Sequence, residues 1–463
     1  MNTLYPIITL FLFCLCFFTN AQNSSQPNIV IILADDLGYA DVGYNGGDIN
    51  TPNINRLSQK AIVFNRFYAH STCTPSRVGL MSGRFAAREG LATSVITPKC
   101  GDGLNPELYI LPEMLADAGY SKRSCIGKWH LGHSNIKYHP LKQGFTNFYG
   151  HYGGMIDYYT HKRAGQVDWH RDYDFCADQG YATDLITKEA VKQIGDWANI
   201  DSPFFMYVAY NAPHTPLQAT PEKLDGQGFD PEKGTYKLTN DDKRKEPQIG
   251  RGNNKRQTYK AMVESLDDGV GQILKALEQH NVLNETIVIF YSDNGGYPPN
   301  GGDNGILRGT KGTYYEGGVR VPALVYYPTL IKNKTSCNNM VSHIDLFPTL
   351  MELANADSQK LEKKLDGVSL LPYFNGLTNC PNVDYNRILY LGKKALVTQR
   401  WKLINNELFD LENDPAESKN VAEQYPFVYN ALIEKLNNLR TAIENPIVRN
   451  FDYKIKKNWE MPQ

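Results

Sequence analysis

A chain of 463 residues is long enough for one large domain with an appendage, or for two domains. Hydrophobic residues at 41% and charged residues at 21% are ordinary for a globular protein and exclude a low-complexity chain. A formal net charge of -1 gives no general attraction to nucleic acid or to an anionic membrane, although an enzyme for anionic substrates needs only local positive charge.

Residues 7–18 are almost wholly apolar, and Thr19-Asn20-Ala21 places small residues before Gln22. This reads as a signal peptide over residues 1–21, despite the lack of Lys or Arg ahead of the apolar core. The apolar run is short of the roughly 20 residues that a spanning helix needs. Cleavage is therefore expected rather than a stable membrane anchor, with the protein exported to the periplasm or secreted. Cys73, Cys100, Cys125, Cys176, Cys337 and Cys380 remain after cleavage; in an exported protein Cys337 and Cys380 are a candidate pair, and the sequence does not fix the connectivity.

Residues 28–33 (Asn-Ile-Val-Ile-Ile-Leu) form a continuous apolar, β-branched run, the mark of a strand buried on both faces. Residues 204–210, 286–291 and 323–327 read the same way. Helical patterns lie between them at 112–118, 183–197 and 258–280. Strands alternating with helices predict an α/β fold: a large, mainly parallel sheet covered by helices on both faces, within a main domain over 27–370. The charged stretch 237–256 is read as an exposed loop. After the Pro- and Asn-rich stretch 371–384 the character changes, with strand-like runs at 387–391 and 401–405, then Leu408-Phe409-Asp410-Leu411 and a helix over 425–443. A smaller C-terminal domain of antiparallel sheet plus helix is expected over 385–463.

Polar residues follow the predicted strands at once, where open parallel sheets build their sites. Asp35-Asp36 follow the first strand and Asp293-Asn294 follow the 286–291 strand. Either pair alone is equally well read as Asx turns or helix caps. Together they offer hard oxygen ligands, which suit Ca²⁺ or Mg²⁺ and do not separate the two. Gly127-Lys128-Trp129-His130, Pro213-His214-Thr215-Pro216 and Gly309-Thr310-Lys311-Gly312 add two lysines and two histidines. In extended chain, Lys128 and His130 would share one face.

Ser71-Thr72-Cys73-Thr74-Pro75-Ser76-Arg77, continuing to Ser82-Gly83-Arg84, carries a Cys-x-Pro-x-Arg pattern with a Gly-Arg tail. This resembles the signature of type I sulfatases, of the alkaline-phosphatase superfamily, and the order of the other motifs matches that family from Asn28 to the final helix. The resemblance implies an alkaline-phosphatase-like fold and a sulfuric ester hydrolase. It implies that a maturation enzyme oxidises Cys73 to formylglycine, whose hydrated aldehyde attacks sulfur and later releases sulfate. It also implies Ca²⁺ held by Asp35, Asp36, Asp293 and Asn294 and touching residue 73. Arg77 would steady the nucleophile, and Lys128 and Lys311 would bind sulfate oxygens. His214 would protonate the leaving alcohol, and His130 would take the second diol proton.

Residues 153–161 (Gly-Gly-Met-Ile-Asp-Tyr-Tyr-Thr-His), with Trp169 and His170 nearby, resemble a segment of carbohydrate-directed members such as N-acetylgalactosamine sulfatases. A sulfated polysaccharide or oligosaccharide is the expected substrate. The alternatives are a phosphodiesterase or phosphonate hydrolase on the same fold, and a catalytically silent relative that binds sulfated glycans.

Overall fold

The computed structural model describes residues 26–92, 95–237, 249–374, 387–392 and 394–443. The signal-peptide reading and Cys380, with its candidate pairing, lie outside the described residues. Among the described residues no helix is long and apolar enough to cross a membrane.

Five parallel strands form the middle of a ten-stranded sheet: β1 (Asn28–Ala34), β2 (Lys122–Lys128), β3 (Asn147–His151), β4 (Phe204–Ala209) and β5 (Thr286–Ser292). Their spatial order is β5-β1-β4-β2-β3. β1 shows why such a run becomes a central strand. Ile29, Ile31 and Leu33 enter one hydrophobic cluster while Val30, Ile32 and Ala34 enter the other, so both faces must be covered. Each large aliphatic side chain buried this way contributes about 1.5–3 kcal/mol. Helix α1 (Cys73–Ser82) supplies Val78, Leu80 and Met81 to the first cluster. Helices α2 (Ala182–Trp197) and α3 (Lys255–Gln279) cover the other face.

The outer strands depart from the parallel pattern. Ala323–Tyr326 pairs antiparallel with β5, so its C-terminal end lies away from those of the central strands and brings nothing to the site. The expectation that all four apolar runs would lead into site residues fails there. Conversely, β2 contributes directly although only Cys125 and Ile126 of its seven residues are plainly apolar. Its place between β4 and β3 comes from backbone pairing, and no apolar run announced it.

Of the stretch 237–256, residues 238–248 lie outside the described residues, and its end is helical: Lys255 and Arg256 open α3, where the Asn254 side chain accepts the Gln257 N–H at 2.8 Å as an N-cap. Near the C-terminus, strands Leu389–Tyr390, Ala395–Val397, Trp401–Ile404 and Glu407–Asp410 form an antiparallel sheet. One of its faces packs on Tyr68, Val319 and Ile344 of the main body, and the other carries Leu432 and Leu436 of helix α4 (Pro426–Ile443).

Candidate active site

Register brings the ends of the central strands level. Leu33 lies opposite Ala209, Ala34 opposite Ser292, and Ala209 opposite Gly127. The residues that follow are thereby gathered at one edge, with the Asp293 N–H donating to the Ala34 carbonyl at 3.0 Å and the Asp35 N–H to that of Ala212 at 3.1 Å. Gly127 permits this closeness: at φ 96° it has a backbone in the left-handed region, and an added Cβ would lie 2.1 Å from the Ala209 oxygen.

Cys73 begins α1 and is buried. Asp35, Cys73 and Asp293 have ligand atoms within 4.8 Å of one another, as do Asp35, Asp36 and His214. Three ion pairs, two of them fully buried and that of Lys311 partly so, organise the surrounding charge. Lys128 Nζ lies 2.5 Å from Asp35 Oδ2, Lys311 Nζ 2.6 Å from Asp36 Oδ1, and Arg77 2.8 Å from Asp293 Oδ2. Arg77 also donates to the Lys128 carbonyl at 2.8 Å and to the Tyr207 hydroxyl at 3.0 Å. It therefore holds β2, β4 and the Asp293 turn in one arrangement.

Asn294 Nδ2 donates to Asp36 Oδ1 at 2.8 Å. Its Oδ1, and Oδ1 of Asp35, are buried without a hydrogen-bond partner among the described residues. Two orphaned oxygens beside two further carboxylates are costly unless a cation takes them. The donor set, all oxygen, fits a hard divalent ion. Charge crowding has a measurable face: burial, then the neighbouring Asp35, pushes the Asp293 carboxyl up to about 6. Asp36 is held well below the usual carboxylate range: burial alone would raise it, and the opposing pull of Lys311 and His214 outweighs that.

The two histidines differ in what they offer. His130 Nε2 lies 2.9 Å from the Ile96 carbonyl, which can only accept, so that nitrogen carries the hydrogen. Its Nδ1 is left as a buried lone pair without a partner among the described residues. Burial, with Lys128 and Arg77, keeps the ring neutral. The backbone here is not extended as the sequence implied. β2 ends at Lys128 and His130 adopts φ 57°, which turns its ring toward the segment after β3. His214 donates through Nδ1 to the Thr215 carbonyl at 2.7 Å, and its Nε2 lies 3.7 Å from Asp36 Oδ2. Burial and then Lys311 lower it to about 3. An anion placed between the lysines would raise it.

Cys73, Arg77, Lys128, His214, Lys311 and the four oxygen donors thus converge, with His130 beside Lys128. Sequence reading missed Tyr207, which braces Arg77, and Asn211, whose buried side-chain amide has no partner among the described residues. Asn211 was findable, since it stands two residues past β4 where strand-end polar residues gather. Tyr207 was not, because within an apolar strand a tyrosine reads as core.

The sulfatase family model matches residues 27–356, which is more than half of the chain and spans every candidate site residue described in this subsection. The chain belongs to the sulfatase family. This sulfatase is accordingly a sulfuric ester hydrolase. Its residues 309–442 match a second model, described as N-sulphoglucosamine sulphohydrolase, C-terminal. Mouse (Mus musculus) arylsulfatase J is 32% identical to it over 486 residues, covering 91% of this chain and 77% of that protein. Mouse N-acetylgalactosamine-6-sulfatase is 32% identical, covering 75% and 66%. A crystal structure of Ps i-CgsB in complex with k-i-k-neocarrahexaose matches with a TM-score of 0.79 at 29% identity, covering 93% of this chain and 96% of that one.

Proposed function

We propose that this sulfatase hydrolyses sulfate esters of a carbohydrate, using formylglycine at position 73 and Ca²⁺. The observation that carries the reading is the convergence of Cys73 with four oxygen donors, two lysines and two histidines at one sheet edge. The carbohydrate assignment rests on relatives: one named for N-acetylgalactosamine 6-sulfate, the other solved with a neocarrahexaose. Export rests on the apolar run at 7–18, and maturation of Cys73 requires a partner enzyme that oxidises cysteine.

Formylglycine supplies a hydrated aldehyde, a nucleophile with a second hydroxyl through which sulfate can be released. Ca²⁺, held by Asp35, Asp36, Asp293 and Asn294, would supply positive charge beside the ester oxygens. The chain's own residues do the rest. Lys128 and Lys311 place two ammonium groups where the sulfate anion binds, and fixed charges in a buried site stabilise charge developing in the transition state. Arg77 orients the Asp293 turn and the end of β2. The lone pair on His130 Nδ1 is the base for the residue-73 hydroxyl. His214, protonated once the anion offsets the lysines, gives its Nε2 proton to the leaving alcohol.

Two measurements test this reading. Peptide mass spectrometry across residue 73, on protein from a host with a maturation enzyme, should show a loss of about 18 mass units. An unmodified thiol in an active enzyme would remove formylglycine from the reaction. Chelation should abolish turnover of 4-nitrocatechol sulfate and Ca²⁺ should restore it, whereas full activity in a metal-stripped enzyme would overturn the ligand set. Faster cleavage of an aryl phosphodiester than of the aryl sulfate would move the enzyme to phosphoryl chemistry.

A further inference from the structure

Building on the carbohydrate reading, we propose that a cavity between residues 159–161 and 166–179 binds an uncharged sugar ring of the glycan that carries the sulfate. The cavity has a volume of about 540 Å³, inside the range of about 300–1,000 Å³ typical of small-molecule sites. It is made by the segment that leaves the C-terminal end of β3, the sheet edge where the site lies. That segment is tied to both histidines. Gly154 comes so close to His130 that an added Cβ would lie 2.5 Å from the imidazole. The Tyr158 hydroxyl donates to the carbonyls of Asn211 at 2.6 Å and His214 at 2.9 Å, and Tyr159 is the next residue along, on the cavity wall.

Two properties of the lining select the ligand. Phe175 and Val167 expose 47% and 36% of their surface there, apolar area that the fold leaves in water, and the amides of Gln166 and Gln179 are exposed beside them. An aromatic face for ring C–H groups with amides for hydroxyls is what a sugar needs, and neither feature serves the hydrophobic core.

Charge then decides which ring. The lining holds no lysine or arginine. Its carboxylate, Asp178, accepts the Tyr149 hydroxyl at 2.6 Å and so stays ionised, while burial keeps His161 neutral. Arg171 is engaged by Glu189 at 2.9 Å and Asp178 at 3.7 Å. No cation of the lining awaits a sulfate here, and its one carboxylate, Asp178, is balanced by Arg171, whereas Lys128 and Lys311 stand ready at the sheet edge. The enzyme thus sorts a glycan by charge, with the sulfate to the lysines and an unsulfated ring to the cavity.

Cys176, half-buried in the lining, gives a readout that does not depend on Cys73 maturation or on turnover. Alkylation of the full chain by iodoacetamide, mapped to the Cys176 peptide, is measured with three neutral hexasaccharides: desulfated neocarrahexaose, a galactan fragment and an N-acetylhexosamine oligomer. At least one should slow Cys176 alkylation at millimolar concentration, and Phe175→Ala should remove that protection. No protection by any of them, or protection unchanged in Phe175→Ala, overturns the proposal. In the matured enzyme, Phe175→Ala should raise KM for a sulfated hexasaccharide by roughly tenfold while kcat and 4-nitrocatechol sulfate turnover stay unchanged. An equal loss on both substrates would show general damage to the site and also overturn it. A wild-type enzyme that protects Cys176 yet cleaves no sulfate ester would instead sink the sulfatase reading and leave the cavity assignment standing.

Discussion

At the reacting centre each cation is committed to one carboxylate, Lys128 to Asp35, Lys311 to Asp36 and Arg77 to Asp293. Breaking a buried pair by removing one partner strands the other charge, which typically costs about 3–5 kcal/mol. Cys73 carries no such duty. Cys73→Ala should therefore abolish turnover while thermal unfolding stays near that of the parent, and substantial retained activity would remove Cys73 as the nucleophile's origin. Asp293 makes a pH prediction. Its carboxyl is raised to about 6 in the folded protein, against about 3.9 unfolded. Over that window the folded state binds the extra proton, so stability falls as pH rises from about 4 to 6. Chelated protein should show this decline in unfolding temperature, Asp293→Asn should flatten it, and Ca²⁺ should reverse it by favouring the ionised form. A chelated profile identical with and without the substitution would show that Asp293 does not titrate in that range.

Among the elements, β2 is the one the site depends on most and the one its sequence shows least. It delivers Lys128 because Gly127 lets the β4 backbone approach, at a φ that side chains other than glycine rarely adopt. Gly127→Ala would force the added carbon into the Ala209 carbonyl or part the strands. The expected cost is about 3 kcal/mol or more, read in denaturant unfolding, with activity lost alongside. A variant within 0.5 kcal/mol of the parent would show that the pairing relaxes freely. The longer elements were legible. The runs at 28–33, 204–210 and 286–291 became β1, β4 and β5, and α2 and α3 lie where the helical patterns were read. Local sequence patterning alone marks those elements. β2 was hidden because Lys122, Arg123 and Ser124 open it, and the small-sheet strand Ala395–Val397 because three residues carry no period.

Across the molecule, the small C-terminal sheet is joined to the catalytic body by charge as well as by apolar contact. Lys402 lies fully buried, with Nζ 2.9 Å from Glu316 and 3.0 Å from Glu417. Glu316 accepts the Tyr68 hydroxyl at 3.0 Å, and its N–H donates to Glu417 at 2.6 Å. Burial pushes Glu417 up to about 7, so this junction is poised near neutrality. Glu316 stands five residues beyond Lys311, on the segment that carries that lysine into the site. Lys402→Met should take its cation from Glu417, leave Glu316 with Arg320 at 3.5 Å, and lower stability by about 3–5 kcal/mol. Turnover of 4-nitrocatechol sulfate should fall with it as the Lys311 segment loses its anchor. An unchanged unfolding temperature would show that the two bodies are held by apolar contact alone.

Much of the candidate site was written in order along the chain: the Cys73–Arg77 motif, the paired acidic residues after two apolar strands, and the histidines and lysines on Gly- or Pro-bounded turns. Those signals are local, and side-chain type and spacing are enough to carry them. The ion pairs, the neutral state of His130, the brace from Tyr207 and the cavity below Phe175 were decided only by tertiary structure. Each depends on burial and on which distant segments share a strand register, and a carboxylate's charge or a histidine's proton follows from neighbours that lie up to hundreds of residues away.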